Sequence, residues 1–142
     1  MQKINILLAE DPQSVSVTMI MLAQISLETG YDFSIDLAPS TLEAFMRLDQ
    51  ADILIVDLCE FENRNALAIK AVGRAQPTVI TYTADVDFTA LRETPFCRCI
   101  AKPAFDACKF RKDIIELSGL IAEHQSFQAL ELCLSRQDVS GN

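Results

Sequence analysis

Five side chains of this sequence have the types needed to work on a phosphoryl group: the adjacent carboxylates Glu10 and Asp11, the carboxylate Asp57, the hydroxyl of Thr83 and the ammonium of Lys102. Each lies at the end of a short, mostly apolar run, where a buried strand would stop. Taken singly they are unremarkable, because an Asp or Thr at a strand-to-helix turn usually caps the next helix and a Lys before Pro is usually solvated. Taken together they are not. Three carboxylates at one edge repel and raise one another's pKa unless a cation lies among them. Hard oxygen donors that tolerate bound water suit Mg²⁺. A hydroxyl and an ammonium suit phosphoryl oxygens, and a carboxylate can act as nucleophile to form an aspartyl-phosphate. The set reads as metal-assisted phosphoryl transfer to Asp57, with positioning and charge neutralisation supplying most of the catalysis.

That chemistry requires four strands whose carboxyl ends share one edge. The segment Asp52-Ile53-Leu54-Ile55-Val56-Asp57 has four apolar residues in a row and no alternation, as expected of a central strand covered on both faces. Lys3 to Ala9, Pro77 to Tyr82 and Phe96 to Ala101 read as further strands, and the alternating stretch Tyr31 to Leu37 reads as an edge strand. Helices are expected over about Pro12–Glu28, with Pro at its start and Gly30 as its cap, from Ser40 or Thr41 to Leu48, over Asn65–Arg74, and in a short form between Val86 and Arg92. A last helix from Asp106 to Ser118 is expected to be interrupted or kinked at Gly119 before a further helical stretch to about Arg136. Inward faces are expected to carry Val15, Met19, Leu22, Ile25 and Ser26 in the first helix, Leu42, Phe45, Met46 and Leu48 in the second, and Leu67, Ile69 and Val72 in the third. The βα alternation with short connections specifies an α/β fold, a parallel five-stranded sheet wound by right-handed crossovers with helices on both faces and an extra C-terminal helix.

The totals narrow the function classes. With 142 residues, half of them hydrophobic, the chain suits one compact domain. Twenty acidic against twelve basic residues give a net charge of -8, which argues against a nucleic-acid surface. No apolar run is long enough to span a bilayer, and five cysteines without a secretory leader favour a cytoplasmic setting. Cys97 and Cys99 lack a zinc spacing and read as two thiols on one strand face.

The stretches Ile6-Leu7-Leu8-Ala9-Glu10-Asp11, Asp52 to Asp57, Val79-Ile80-Thr81-Tyr82-Thr83-Ala84 and Ile100-Ala101-Lys102-Pro103 resemble the four signature stretches of response-regulator receiver domains of two-component signalling. The resemblance covers about residues 3 to 118 and implies a flavodoxin-like sheet order of 2-1-3-4-5. It implies a receiver domain over 1–118, with 119–142 as a C-terminal helical extension and tail. It further implies that Asp57 accepts a phosphoryl group from the phosphohistidine of a histidine kinase or histidine phosphotransfer protein. Asp11, Asp57 and the backbone carbonyl of Cys59 would bind Mg²⁺, Glu10 would act through a metal-bound water, Thr83 would follow the phosphoryl group and Lys102 would pair with its oxygens. The Lys102–Pro103 bond is cis in relatives of this kind. Such a protein is primarily a signalling phosphoacceptor, with at most self-phosphorylation and self-dephosphorylation as enzymatic activity.

Departures from the family pattern define the alternative. The loop Cys59-Glu60-Phe61-Glu62-Asn63 contains neither the usual Met-Pro pair nor a Gly, and Cys99 stands where a mobile Tyr or Phe is common. A pseudo-receiver would keep the fold as a phosphorylation-independent interaction scaffold. His124, the single histidine, lies in the apolar stripe of the tail and reads as a partly buried packing residue. The first helix carries more apolar surface than one buried face needs, so a homodimer or a docked helix is expected on the face it shares with the C-terminal helix.

Overall fold

The computed structural model describes residues 3–58, 64–83, 92–102 and 105–140. Five parallel strands, β1 (Lys3–Ala9), β2 (Asp32–Leu37), β3 (Ile53–Asp57), β4 (Thr78–Thr83) and β5 (Cys97–Lys102), form one sheet in the order β2-β1-β3-β4-β5. This is the expected 2-1-3-4-5 arrangement. The expected short helix between Val86 and Arg92 lies, save for Arg92, outside the described residues, as do Cys59 and Pro103.

Every residue of β3 is buried, which accounts for its unbroken apolar run. Its side chains alternate between two cores. Ile53 and Ile55 join Ile4, Ile6 and Leu8 of β1 beneath α1 (Pro12–Thr29) and α4 (Ala107–Ser140). Leu54 and Val56 join Leu7 and Ala9 beneath α2 (Thr41–Arg47) and α3 (Arg64–Gly73). At about 1.5–3 kcal/mol for each large aliphatic side chain removed from water, β3 alone anchors both layers.

Helix phases differ from expectation where small or polar residues take the inward positions. In α1 the buried residues are Thr18, Leu22 and Ile25, while Met19 is exposed. Thr18 turns inward because its hydroxyl serves Glu10, as described below. In α2, Ala44 and Leu48 at its C-cap reach the core, Phe45 is partly buried, and Leu42 and Met46 face solvent. The side chain of Ser40 caps this helix by accepting the N–H of Glu43. In α3, Leu67, Ala68 and Ala71 are buried and Ile69 is exposed, since alanines let the helix approach the sheet closely.

Helix ends follow their local chemistry. Pro12 opens α1, and Gly30 closes it in the left-handed conformation (φ 81°) with its N–H donating to the Ser26 carbonyl at 2.8 Å. Asp106 starts α4 by accepting the N–H of Lys109 at 3.0 Å. The helix then continues for 34 residues, a length of about 50 Å, through Gly119 without interruption. Here the expectation fails because one glycine costs only about 1 kcal/mol in a helix, and buried Leu117, Ser118 and Ile121 on either side hold this turn against the sheet. Beyond Ile121 the helix leaves the core: His124 is exposed rather than partly buried, as are Phe127, Leu130 and Leu134. Asp113 fastens α4 to β5, its carboxylate accepting from Arg98 at 3.0 Å and from Lys109 at 2.7 Å.

Candidate functional site

The carboxyl ends of β1, β3 and β5 bring Glu10, Asp11, Asp57 and Lys102 to one edge, beside the point where the chain order reverses between β1 and β3. Asp57 is the last residue of β3 and is 6% exposed. The Lys102 ammonium lies 3.1 Å from Asp57 Oδ2, and the Thr81 hydroxyl donates to Asp57 Oδ1 at 3.0 Å. Thr83 closes β4 directly opposite Lys102 in the β4–β5 register. Two of the expected groups thus pair, Lys102 with Asp57, and a third sits at the neighbouring register position.

Glu10 is buried, and one of its oxygens accepts the hydroxyl of Thr18 at 2.9 Å. Its other oxygen, Oε1, has no hydrogen-bond partner among the described residues. Burial pushes the Glu10 pKa from its ordinary value up to about 7, against the opposing pull of the Thr18 hydroxyl and of Lys102. Thr18, Ser14, Thr81, Lys102, Phe105 and Phe110 line a cavity of about 260 Å³ beside it.

Asp11 stands at the N-cap of α1, yet its side chain makes no capping bond. It reaches instead to Arg64, a residue absent from the expected site. Arg64 opens α3 and is 5% exposed; its Nη2 donates to Asp11 Oδ1 at 3.0 Å and its Nη1 to the backbone carbonyl of Asp57 at 3.1 Å. A cation in the first turn of a helix opposes the helix dipole, and the acidic groups of the pocket it faces offset that cost. That placement in the sequence, a lone Arg after Glu60 and Glu62 at the start of a helix, was the available signal. Thr81, two residues before Thr83 in the same strand, was equally legible in the sequence.

Hard oxygens at Glu10, Asp11 and Asp57 have the chemistry for Mg²⁺, but their arrangement does not fit an ion. The Asp11 carboxylate is engaged by Arg64, Asp57 is engaged by Lys102 and Thr81, and no group of three His, Cys, Asp or Glu among the described residues is placed to hold a metal. Cys97 and Cys99 share a strand face as expected, in the core under α2 and α3. The Cys97 thiol and burial together push the Cys99 pKa upward.

Comparison of the sequence with family models and with curated proteins finds no match. Comparison of the fold with solved structures does. A response regulator receiver domain protein from Bacillus halodurans matches with a TM-score of 0.57 and 21% identity, over 82% of this chain and 97% of that one. The fold is that of a receiver domain. The receiver fold is seen again in the signal receiver domain of a LuxO repressor protein from Vibrio parahaemolyticus, with a TM-score of 0.56 and 18% identity over 87% of this chain and 97% of that one. It recurs in the response regulator PhyR from Brucella abortus, with a TM-score of 0.52 and 18% identity, where this chain spans 52% of the larger protein. No helix among the described residues is long and apolar enough to cross a membrane.

Proposed function

We propose that this receiver fold serves as a phosphoacceptor: Asp57 takes a phosphoryl group from the phosphohistidine of a histidine kinase or phosphotransfer protein and passes the signal on through protein contacts. The observation that carries the reading is the 3.1 Å contact of the Lys102 ammonium with Asp57 Oδ2, at the one sheet edge where Glu10 and Asp11 also lie. In the transfer, an Asp57 carboxylate oxygen attacks phosphorus, the bond from phosphorus to the donor nitrogen breaks, and the electron pair leaves with the imidazole. The Lys102 charge opposes the negative charge that gathers on the phosphoryl oxygens, and the Thr83 hydroxyl is the second donor assigned to them. Intact mass after incubation with acetyl phosphate and excess Mg²⁺ tests this. The native chain is expected to gain one phosphoryl group and Asp57→Asn none; an equal gain in both would remove Asp57 from the role.

A second reading, a pseudo-receiver scaffold, is favoured by Arg64, whose guanidinium engages the Asp11 carboxylate and the Asp57 carbonyl. A folded native chain that gains no phosphoryl group at saturating acetyl phosphate and Mg²⁺ would select it. Under either reading the signal needs a docking face. Val17, Ile20 and Leu27 form an exposed stripe on α1, and Phe127, Leu130 and Leu134 form one on the tail of α4, which supports a homodimer through these helices. Because Ile121 is buried, the test substitutes Phe127, Leu130 and Leu134 by Glu rather than deleting the tail. Sedimentation is expected to show a native dimer converted to monomer, and a monomer in both cases would sink the dimer.

A further inference from the structure

We propose that Arg64 is an internal counter-cation that competes with Mg²⁺ for the acidic pocket, so that a divalent ion binds only when the guanidinium leaves Asp11. The inference deepens the reading of Asp57 as phosphoacceptor and rests on it.

The guanidinium bridges the ends of two neighbouring strands. One of its nitrogens takes the Asp11 carboxylate after β1, and another takes the main-chain carbonyl of Asp57 at the end of β3. A metal joining Asp11 to Asp57 would have to span that same gap. Arginine suits the place because its planar fork offers several donors in fixed directions and keeps its charge at any working pH. Its burial is deep: the side chain is 6% exposed, whereas Asp11 on the far side is 49% exposed. The guanidinium therefore closes the inner side of the gap and leaves the outer side of Asp11 open to solvent. With Lys102 on Asp57 Oδ2 and Arg64 on Asp11 Oδ1, each of these two carboxylates already faces a fixed cation. A divalent ion entering beside both would meet like charge at short range, and it would also lose Asp11 as a free ligand.

The helix strengthens the argument. Arg64 lies in the first turn of α3, where the dipole favours anions and disfavours cations. A guanidinium released from Asp11 would remain at this unfavourable helix end, so the contacts to Asp11 and to the Asp57 carbonyl work against the dipole to hold it in place. Displacement by Mg²⁺ consequently has to replace at least the hydrogen bonds to Asp11 and to the Asp57 carbonyl, and the native affinity for Mg²⁺ is expected to be weak.

Titration calorimetry with MgCl₂ on the native chain and on Arg64→Met tests the proposal without any phosphoryl donor. Methionine keeps the length and loses the charge and donors. Binding is expected to tighten at least tenfold in Arg64→Met, and adding Asp11→Asn to that variant is expected to abolish the gain. Equal or weaker Mg²⁺ binding in Arg64→Met, or a gain that survives Asp11→Asn, would overturn it. Loss of the arginine leaves the carboxylates unbalanced, so Arg64→Lys, which keeps one charge but cannot bridge both oxygens, provides a second variant expected to bind Mg²⁺ more tightly than native; no gain there also counts against the proposal. Tighter metal binding in a chain that never gains a phosphoryl group would uphold the competition and remove the phosphoacceptor reading. A phosphorylated native chain with unchanged Mg²⁺ binding in the Arg64 variants would do the reverse.

Discussion

Replacing Lys102 by alanine is expected to slow phosphorylation of Asp57 by about 10²–10³-fold, the usual loss when one preorganised donor to a developing charge is removed. Its ammonium is 3.1 Å from Asp57 Oδ2 and 3.4 Å from the Ser14 hydroxyl, which fixes its position before any donor arrives. The side chain is 21% exposed, so its charge acts in a partly desolvated site where screening is weak. Lys102→Arg restores the charge but spreads it over a plane, and partial recovery is expected. The check is the rate at which the phosphoryl adduct grows with acetyl phosphate in excess, on variants first shown to unfold cooperatively in urea. A Lys102→Ala rate within threefold of native would mean that this charge does not assist the transfer.

The second large effect concerns stability. Glu10 holds its proton up to about pH 7 in the folded chain, whereas an unfolded glutamate releases it near its ordinary value of 4.5. Between those values the native state binds a proton that the unfolded state has lost, so this residue's contribution is fully present below about pH 4.5 and disappears as pH rises through about 7. A displacement of that size corresponds to about 3 kcal/mol. Glutamine imitates the protonated acid and keeps the Thr18 contact. Glu10→Gln is therefore expected to be more stable than native by about 3 kcal/mol at pH 8 and equal to it at pH 4. Urea unfolding of both chains across that range measures the difference, in which the other carboxylates cancel. A gap that is constant with pH would show that Glu10 is not titrating in this way.

What could be read from the sequence was set by features that act over a few residues or along one strand. The uninterrupted Ile53 to Val56 run announces a strand between two layers, and the polar residues that end β1, β3, β4 and β5 follow from where buried strands stop. Parallel topology then forces those ends together. Helix phase was less legible, because apolar residues cover most of α1, α2 and α3 and periodicity cannot choose among overlapping faces. The choice was made by Thr18 bonding to Glu10 and by the small Ala44, Ala68 and Ala71, which let the helices sit close to the sheet. Gly119 and His124 were misjudged for a related reason: both lie where α4 passes from core to solvent, a boundary fixed by the sheet's extent and not by the helix sequence. Arg64 needed tertiary information, since Asp57 and Asp11, to which it donates, are seven and 53 residues away. Only its awkward position against the helix dipole hinted that it had an acidic partner.

The central claim is that Asp57 is the atom-bearing acceptor, and reductive trapping tests it most directly. Borohydride converts an aspartyl-phosphate to homoserine, so the chain is incubated with acetyl phosphate, reduced, cleaved and read by peptide mass spectrometry. Homoserine at position 57, with Glu10 and Asp11 unchanged, is the expected result. Homoserine at position 11 in place of 57, or none in a folded chain that reached saturation with donor, would contradict the account.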